Sequence, residues 1–399
     1  MLVLFNIILI SYQWMRLLYL LDKLLKKKEF IRRWHVKPHI TNMMRDTHGA
    51  YEALFLYFAN CHEEEFYKMC RMNVRTFQKL HNLVGPRLQK KSRRRPLSTE
   101  LRLALYLNYL GHGDSNFSTA NFFRVGRSTV YGIIHEVSRV IWDVLSPIYL
   151  NWKSEEEWKI VAEGFRVKWD FPNCVGALDG KEIRIKAPPH SGSLYFNYKR
   201  FYSFKLMAIC DAFLRFTWID IGDYGSLSDA SSFRNSSLYQ ALEEHDAGLP
   251  RENILPRTNI SLPFFFVGDP IFALKTYLMK PYPRANGLTN EQHVFNNRLS
   301  RARQCIEVSF GRICSKFQIL EDRLDFKVDT SVEIVKAIIC LHNLIITEEM
   351  NAMEYDEPVI NAPNVVDFEG EEDMEANDDA VRQREILREY FTSGEGQIL

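Results

Sequence analysis

No CxxC pair occurs in this sequence, and no cysteine–histidine cluster stands at zinc-binding spacing. The seven cysteines, at positions 61, 70, 174, 210, 305, 314 and 340, are odd in number and scattered. That pattern excludes a disulfide-stapled secreted scaffold and a zinc module, and reads as buried thiols in a reducing compartment. No internal repeat is present, which sets aside repeat architectures. The apolar opening Met1–Ile10 is broken by Asn6 and lacks the leading positive charges and small-residue cleavage site of a signal peptide. It is also too short to cross a bilayer. With Leu17, Leu18, Leu20, Leu21, Leu24 and Leu25 it predicts a docking helix over 1–30, and no membrane partner. Finally, residues 348–379 hold thirteen Asp or Glu and neither Lys nor Arg.

That last absence hides an asymmetry. The whole chain carries a net charge of +1, but without those thirteen acids the remainder carries +14. A basic body with an acidic segment fits a protein that binds a polyanion. The end of the chain, 348–399, reads as an acidic, largely disordered tail with a short terminal helix. The rest has ample apolar substance: 46% of the 399 residues are hydrophobic and 13% aromatic, enough for a large domain and a smaller one.

Residues 31–165 predict a helical domain. Apolar residues recur at helical spacing, as in Phe77, Leu80, Leu83 and Val84, and again at Leu101, Leu105 and Leu110. Ser98 ahead of Glu100 is a helix-start signal. The basic stretch Lys90–Pro96 is a loop that suits phosphates or a nuclear-import signal. Residues 98–145 have the outline of a helix-turn-helix: a scaffold helix over Leu101–Leu110, a short one over Phe117–Phe123, a turn at Val125–Arg127, and a helix Thr129–Val144 capped by Ser128. Its N-terminal end would offer Arg127, Ser128, Thr129 and Tyr131 to DNA; a purely helical packing module is the alternative.

From about residue 166 to 347 the pattern becomes α/β. Cys174–Leu178 is a short apolar strand, Glu182–Lys186 alternates, and Phe204–Asp211 with Leu214–Ile221 predicts a hairpin. A helix follows Asp229, Pro263–Val267 is the strongest strand, and helices dominate from Asn296, with Ile306, Phe310, Ile313 and Phe317 on one face. His342 and Asn343, inside an apolar helix, read as satisfied core residues.

Four acids stand where they would suit phosphodiester hydrolysis, which needs carboxylates converging on divalent cations. Asp179 ends the first apolar strand and Asp269 ends the strongest one, positions where open α/β sheets place ligands. Glu307 sits on a helix beside its apolar stripe, with Arg303 one turn before it. Asp229 opens a helix, where capping is its plainer role.

Several stretches then resemble the Harbinger transposase-derived nucleases of the DDE superfamily. They are Trp169–Lys181 (WDFPNCVGALDGK), Ser191–Lys199 (SGSLYFNYK), Gly225–Asp229 (GSLSD), Gly268–Leu274 (GDPIFAL) and Phe295–Arg303 (FNNRLSRAR), the last followed by Ile306-Glu307 and Phe310-Gly311. The resemblance runs in order from about Arg32 to Phe391. It implies an RNase H-like fold, a divalent cofactor (magnesium or manganese), and cleavage of DNA at a site of Asp179, Asp229, Asp269 and Glu307. Catalysis is expected from Asp179, Asp269 and Glu307, with Asp229 an accessory metal ligand, although the spacing leaves open which Asp is the second member of the triad. Arg298, Arg301 and Arg303 would meet the scissile backbone. The resemblance also implies a nuclear protein with import assisted by a Myb/SANT-like partner, with cytoplasm and a homo-oligomer as further expectations. The sequence departs from the family at Glu182, where His is usual. A domesticated, catalytically silent DNA- or chromatin-binding protein is the competing function.

Overall fold

The computed structural model describes residues 2–25, 34, 36–92, 95–283, 287–353 and 377–396. It is a mixed α/β structure with a mostly helical first part. Arg93 and Arg94 of the basic loop and 354–376 of the acidic tail lie outside the described residues.

The helical part runs α1 (Leu2–Leu25), α2 (Asn42–His48), α3 (Leu56–Cys61), α4 (Glu63–Cys70), α5 (Val74–Leu88), α6 (Thr99–His112), α7 (Asn116–Phe122), α8 (Arg127–Tyr149) and α9 (Glu155–Trp169). The starts obey side-chain capping. Asn73 accepts from Thr76, Ser98 from Leu101, and Ser154 forms a capping box with Glu157. α6 is buried on every side from Leu101 to Gly111, so it is a scaffold around which the others pack. α8 begins two residues earlier than Ser128 would place it. Gly126 is its N-cap, with no side-chain bond, and its carbonyl takes the amides of Thr129 and Val130. The side chains of α1 from Leu9 to Lys23 are exposed.

The second part holds β1 (Cys174–Arg184), β2 (Ser203–Cys210), β3 (Phe216–Tyr224), α10 (Asp229–Arg234), α11 (Ser237–Glu243), β4 (Glu252–Ile254), β5 (Ser261–Pro263), β6 (Phe265–Val267), β7 (Leu278–Met279), α12 (Asn290–Lys316), α13 (Val328–Asn351) and α14 (Asp378–Thr392). Five strands form a mixed sheet in the order β3-β2-β1-β6-β7. β1, β2 and β3 are antiparallel, whereas β6 is parallel to β1 and β7 to β6. All eight residues of β2 are buried, so both faces of the sheet are covered at its centre.

Two strand expectations change. The alternating stretch after Asp179 is no separate strand: β1 keeps pairing with β2 as far as Arg184, which leaves Asp179 in mid-strand. The run Pro263–Val267 splits at Phe264. Ser261–Pro263 pairs with β4 in a sheet of its own, and Phe265–Val267 joins the main sheet.

Both parts share one hydrophobic core. α13 joins them, packing along α8 and against β3. Among the described residues it is the helix long and apolar enough to cross a membrane, but most of its apolar window is buried in the protein. Its Asn343 and His342 are satisfied. Asn343 accepts from the Phe216 amide (2.9 Å) and donates to the carbonyls of Phe216 (2.7 Å) and Tyr149 (3.0 Å), while His342 Nε2 donates to the Leu214 carbonyl at 2.8 Å.

Burial pushes the His342 imidazole down to about 3. The folded protein therefore binds one proton fewer than the unfolded chain between that value and the unfolded 6.5. Stability from this group is complete above pH 6.5 and is lost as pH falls through the folded pKa, by at most about 1.4 kcal/mol per pH unit. We expect His342→Gln, which stays neutral and keeps a donor, to flatten the fall in urea-unfolding stability between pH 6.5 and 4. A slope identical to wild type would remove the assignment.

Candidate active site

The sheet register brings the first two acids together. Ala177 of β1 faces Val267 of β6, and two residues further along each chain stand Asp179 and Asp269. Gly268 allows the turn to close: a Cβ there would meet the Phe272 ring at 2.9 Å. α12 lies across β1 and β2 and reaches β6. It turns its apolar face, with Ile306, Phe310 and Ile313, into the core. That rotation sets Arg303 and Glu307, four residues apart, toward the carboxylates.

Asp229 arrives from another direction. Ser228 is the cap of α10, accepting from Ser231, so Asp229 is free of the capping role. Its carboxylate lies against β1 at Gly180, where a Cβ would stand only 2.5 Å from the Asp229 Cγ. The glycine after Asp179 is therefore required by the close approach of a second acid.

Arg303 stands at the centre of three acids. Its Nη2 is 2.6 Å from Glu307 Oε1, and its Nη1 is 3.7 Å from Asp179 Oδ2 and 3.9 Å from Asp269 Oδ1. Its side chain is 16% exposed, whereas Glu307 is 49% exposed. Asp179 Oδ1 accepts the Gly180 amide at 2.8 Å, and the buried Asp269 Oδ1 has no hydrogen-bond partner. Burial pushes the Asp179 carboxyl up to about 7 against the pull of Arg303, with Asp269 and Asp229 adding to the rise. Asp269 is raised in the same way, by burial first and then by Glu307 and Asp229. One guanidinium does not balance three carboxylates.

This donor set fits a divalent cation. The donors are hard oxygens, one of them buried and without a hydrogen bond, in a place where negative charge is in excess. As placed, no three His, Cys, Asp or Glu side chains among the described residues converge closely enough to enclose a metal ion; the guanidinium of Arg303 stands among them.

A group of residues beside this cluster was outside the predicted set. Lys205, on β2, faces Glu182 in the β1–β2 register. Its Nζ donates to Glu182 Oε1 at 2.5 Å and to Asp229 Oδ1 at 2.7 Å, with the lysine only 2% and Glu182 8% exposed. Ser203 Oγ donates to the other Glu182 oxygen, and Asn197 Nδ2 donates to Ser203 Oγ at 2.8 Å. Burial alone would lower the lysine's pKa, but its bonds to Asp229 and Glu182 raise it above the ordinary value. Glu182, the departure from the family pattern, is thus matched by a buried cation.

The predicted DNA contacts divide. Arg127, Ser128, Thr129 and Tyr131 are all exposed at the N-terminal end of α8. Arg127 stacks on Phe117 of α7 at 4.8 Å, and Tyr131 lies 5.2 Å from Phe326. Arg303 is in the acidic cluster, and Arg301 is partly exposed on α12. Arg298 stands apart from these. It is 7% exposed, lies over the Phe391 ring at 4.6 Å and donates to the Gly396 carbonyl at 2.7 Å, so it fastens α14 to α12.

Residues 178–343 match the sequence profile described as DDE superfamily endonuclease. The chain is 25% identical over 319 residues to "Protein ALP1-like" of Arabidopsis thaliana, covering 76% of each. It is 23% identical over 318 residues to the Homo sapiens protein named "Putative nuclease HARBI1", covering 78% of this chain and 86% of that one. A third relative, 25% identical over 265 residues and 63% of each chain, is the Arabidopsis thaliana protein named "Antagonist of like heterochromatin protein 1". No solved structure matches.

Proposed function

We propose that this chain, which carries a DDE superfamily endonuclease domain and is related to the Harbinger transposase-derived nucleases, is a metal-dependent endonuclease that cleaves DNA at Asp179, Asp269 and Glu307. The observation that carries the reading is that Asp179 and Asp269, each two residues beyond the paired Ala177 and Val267 of parallel strands, converge on Arg303, with a buried oxygen of Asp269 lacking a hydrogen bond and Glu307 reaching the same guanidinium from α12. The strand order β3-β2-β1-β6-β7, with three antiparallel strands followed by two parallel ones, supports an RNase H-like reading of the domain.

Asp179, Asp269 and Glu307 would hold the cation. When bound, magnesium or manganese would polarise the scissile phosphate and lower the pKa of a water nucleophile. Asp179 and Asp269, held out of bulk water, would keep their orientation through the reaction at little reorganisation cost. Arg303, on the same face of α12, would turn from these carboxylates to a phosphate oxygen once a cation takes its place. α6, α7 and α8 would act as a helix-turn-helix that brings duplex DNA to the domain, with Arg127 on the phosphates. A nuclear location, a Myb/SANT-like partner and a homo-oligomer complete the proposal.

The test is nicking of supercoiled plasmid by purified protein with Mg²⁺ or Mn²⁺, with and without a Myb/SANT-like partner. We expect metal-dependent open circles that EDTA abolishes. A silent, DNA- or chromatin-binding protein is the second reading, and the closure of Arg303 among the acids favours it. DNA binding without nicking under any of these conditions would establish that reading and overturn the first.

The helix-turn-helix makes its own prediction. Arg127→Ala should weaken duplex binding about equally across sequences and reduce the slope of log K against log salt by about one. Fluorescence anisotropy over a salt series reads both. An unchanged slope would return α6–α8 to a packing module.

A further inference from the structure

The acids around the site fall into two sets, each with its own cation. Glu182 and Asp229 share the ammonium of Lys205, at 2.5 and 2.7 Å. Asp179, Asp269 and Glu307 surround the guanidinium of Arg303. The sets differ in kind. Lys205 is fixed: it lies in mid-strand on β2, is 2% exposed, and its Glu182 partner is itself held by Ser203. Withdrawing it would leave the buried Glu182 carboxylate and the partly exposed Asp229 without their cation, and stranding a buried charge costs far more than breaking an exposed pair. Arg303 is on the helix face that opens to solvent beside Glu307, and it holds two of its three partners only at 3.7 and 3.9 Å.

We propose that Lys205 is a positioning residue that withdraws Asp229 from the metal-binding set, leaving one divalent cation to Asp179, Asp269 and Glu307. Three observations support this. Asp229 Oδ1 is already bonded to the lysine, while Asp269 Oδ1 is buried without a hydrogen bond and has Arg303 only at 3.9 Å. The missing Cβ of Gly180 lets Asp229 rest against β1, where Lys205 of the neighbouring strand reaches it. Charge points the same way. Lys205 leaves its two acids with an excess of one negative charge, whereas Asp179, Asp269 and Glu307 carry three, most of which a divalent cation offsets once Arg303 turns away. Lys205 then supplies, as a permanent part of the protein, positive charge on the side of Asp179 away from Asp269.

This rests on the metal-dependent reading above, so the experiment counts ions without using cleavage. Purified full-length protein is titrated with Mn²⁺ alone, and free Mn²⁺ is read by electron paramagnetic resonance. The wild type should bind one equivalent. Asp229→Asn should still bind one, with affinity changed less than about threefold, whereas Asp269→Asn should lose more than about 100-fold, since even an outer-shell partner is worth about 10–100-fold. Lys205→Gln should free Asp229 and raise the count to two. Asp229→Asn keeps the test decisive if Lys205→Gln does not fold, because it leaves the Lys205–Glu182 pair intact. Two equivalents on the wild type, or loss of the one in Asp229→Asn, would overturn the proposal while leaving the metal-dependent reading standing. No binding by the wild type would overturn both.

Discussion

Asp179→Asn and Asp269→Asn should each reduce metal-dependent plasmid nicking by at least about 10³-fold, and neither should unfold the protein. The first half follows from what a bound cation does. Its polarisation of a phosphoryl oxygen is worth several kcal/mol, and each 1.36 kcal/mol is tenfold in rate. A substitution that forfeits about 4 kcal/mol therefore forfeits about three orders of magnitude. Asn keeps the volume of Asp and one of its oxygens but gives up the charge that attracts the ion. The second half follows from the electrostatics of the metal-free site. Burial and neighbouring acids raise both carboxyls, Asp179 to about 7, so their charged forms oppose folding at neutral pH. Neutralising either should leave the metal-free melting temperature unchanged or higher, the trade expected where a site is built for function against stability. Glu307→Ala, at an exposed position, should lose nicking with little change in melting. Wild-type cleavage by Asp269→Asn would remove this acid from the site; a collapse of folding in either Asn variant would show that the carboxylates hold the fold together.

How much of this was legible in the sequence depended on whether the signal was local. The apolar strand before Asp179, the run before Asp269 and the stripe Ile306, Phe310, Ile313 and Phe317 each report their element, and all three elements meet at the site. The end of β1 was not legible, because pairing with β2 carries it past Gly180, and that pairing is decided by residues 203–207, well beyond any local window. Lys205 was invisible for the same reason. A lysine between Phe204 and Leu206 looks like a solvated interruption until the register sets it opposite Glu182. Arg298 could have been found. At 100° per residue it lies well round α12 from Arg303 and Glu307, so the three arginines of that stretch were never able to face one ligand together. The ring of Phe391 over which Arg298 lies belongs to a helix beyond the acidic segment, and no local pattern announces that α14 folds back.

The arginine that does face the site gives the other large effect. Arg303→Ala should destabilise the metal-free protein and increase what Mn²⁺ restores. Removing one partner from a mostly buried ion pair costs about 3–5 kcal/mol when the remaining charge has no escape. Here Asp179 and Asp269, both with raised pKa, can take up protons, so the loss should fall toward the lower end of that range. A cation then has no guanidinium to displace, and its affinity should rise. By linkage, an ion at 100 times its Kd adds about 2.7 kcal/mol to stability and tenfold tighter binding adds about 1.4 more. Thermal melts with and without Mn²⁺ should therefore show a larger gain in Arg303→Ala than in wild type. If Arg303 also turns to a phosphate during cleavage, the same variant should bind the ion more tightly and cleave more slowly, a combination that a merely structural arginine would not produce. Equal Mn²⁺ gains in the two proteins would mean that Arg303 and the cation do not compete for one place, and the acids around it would have to be read as an ion-pair network.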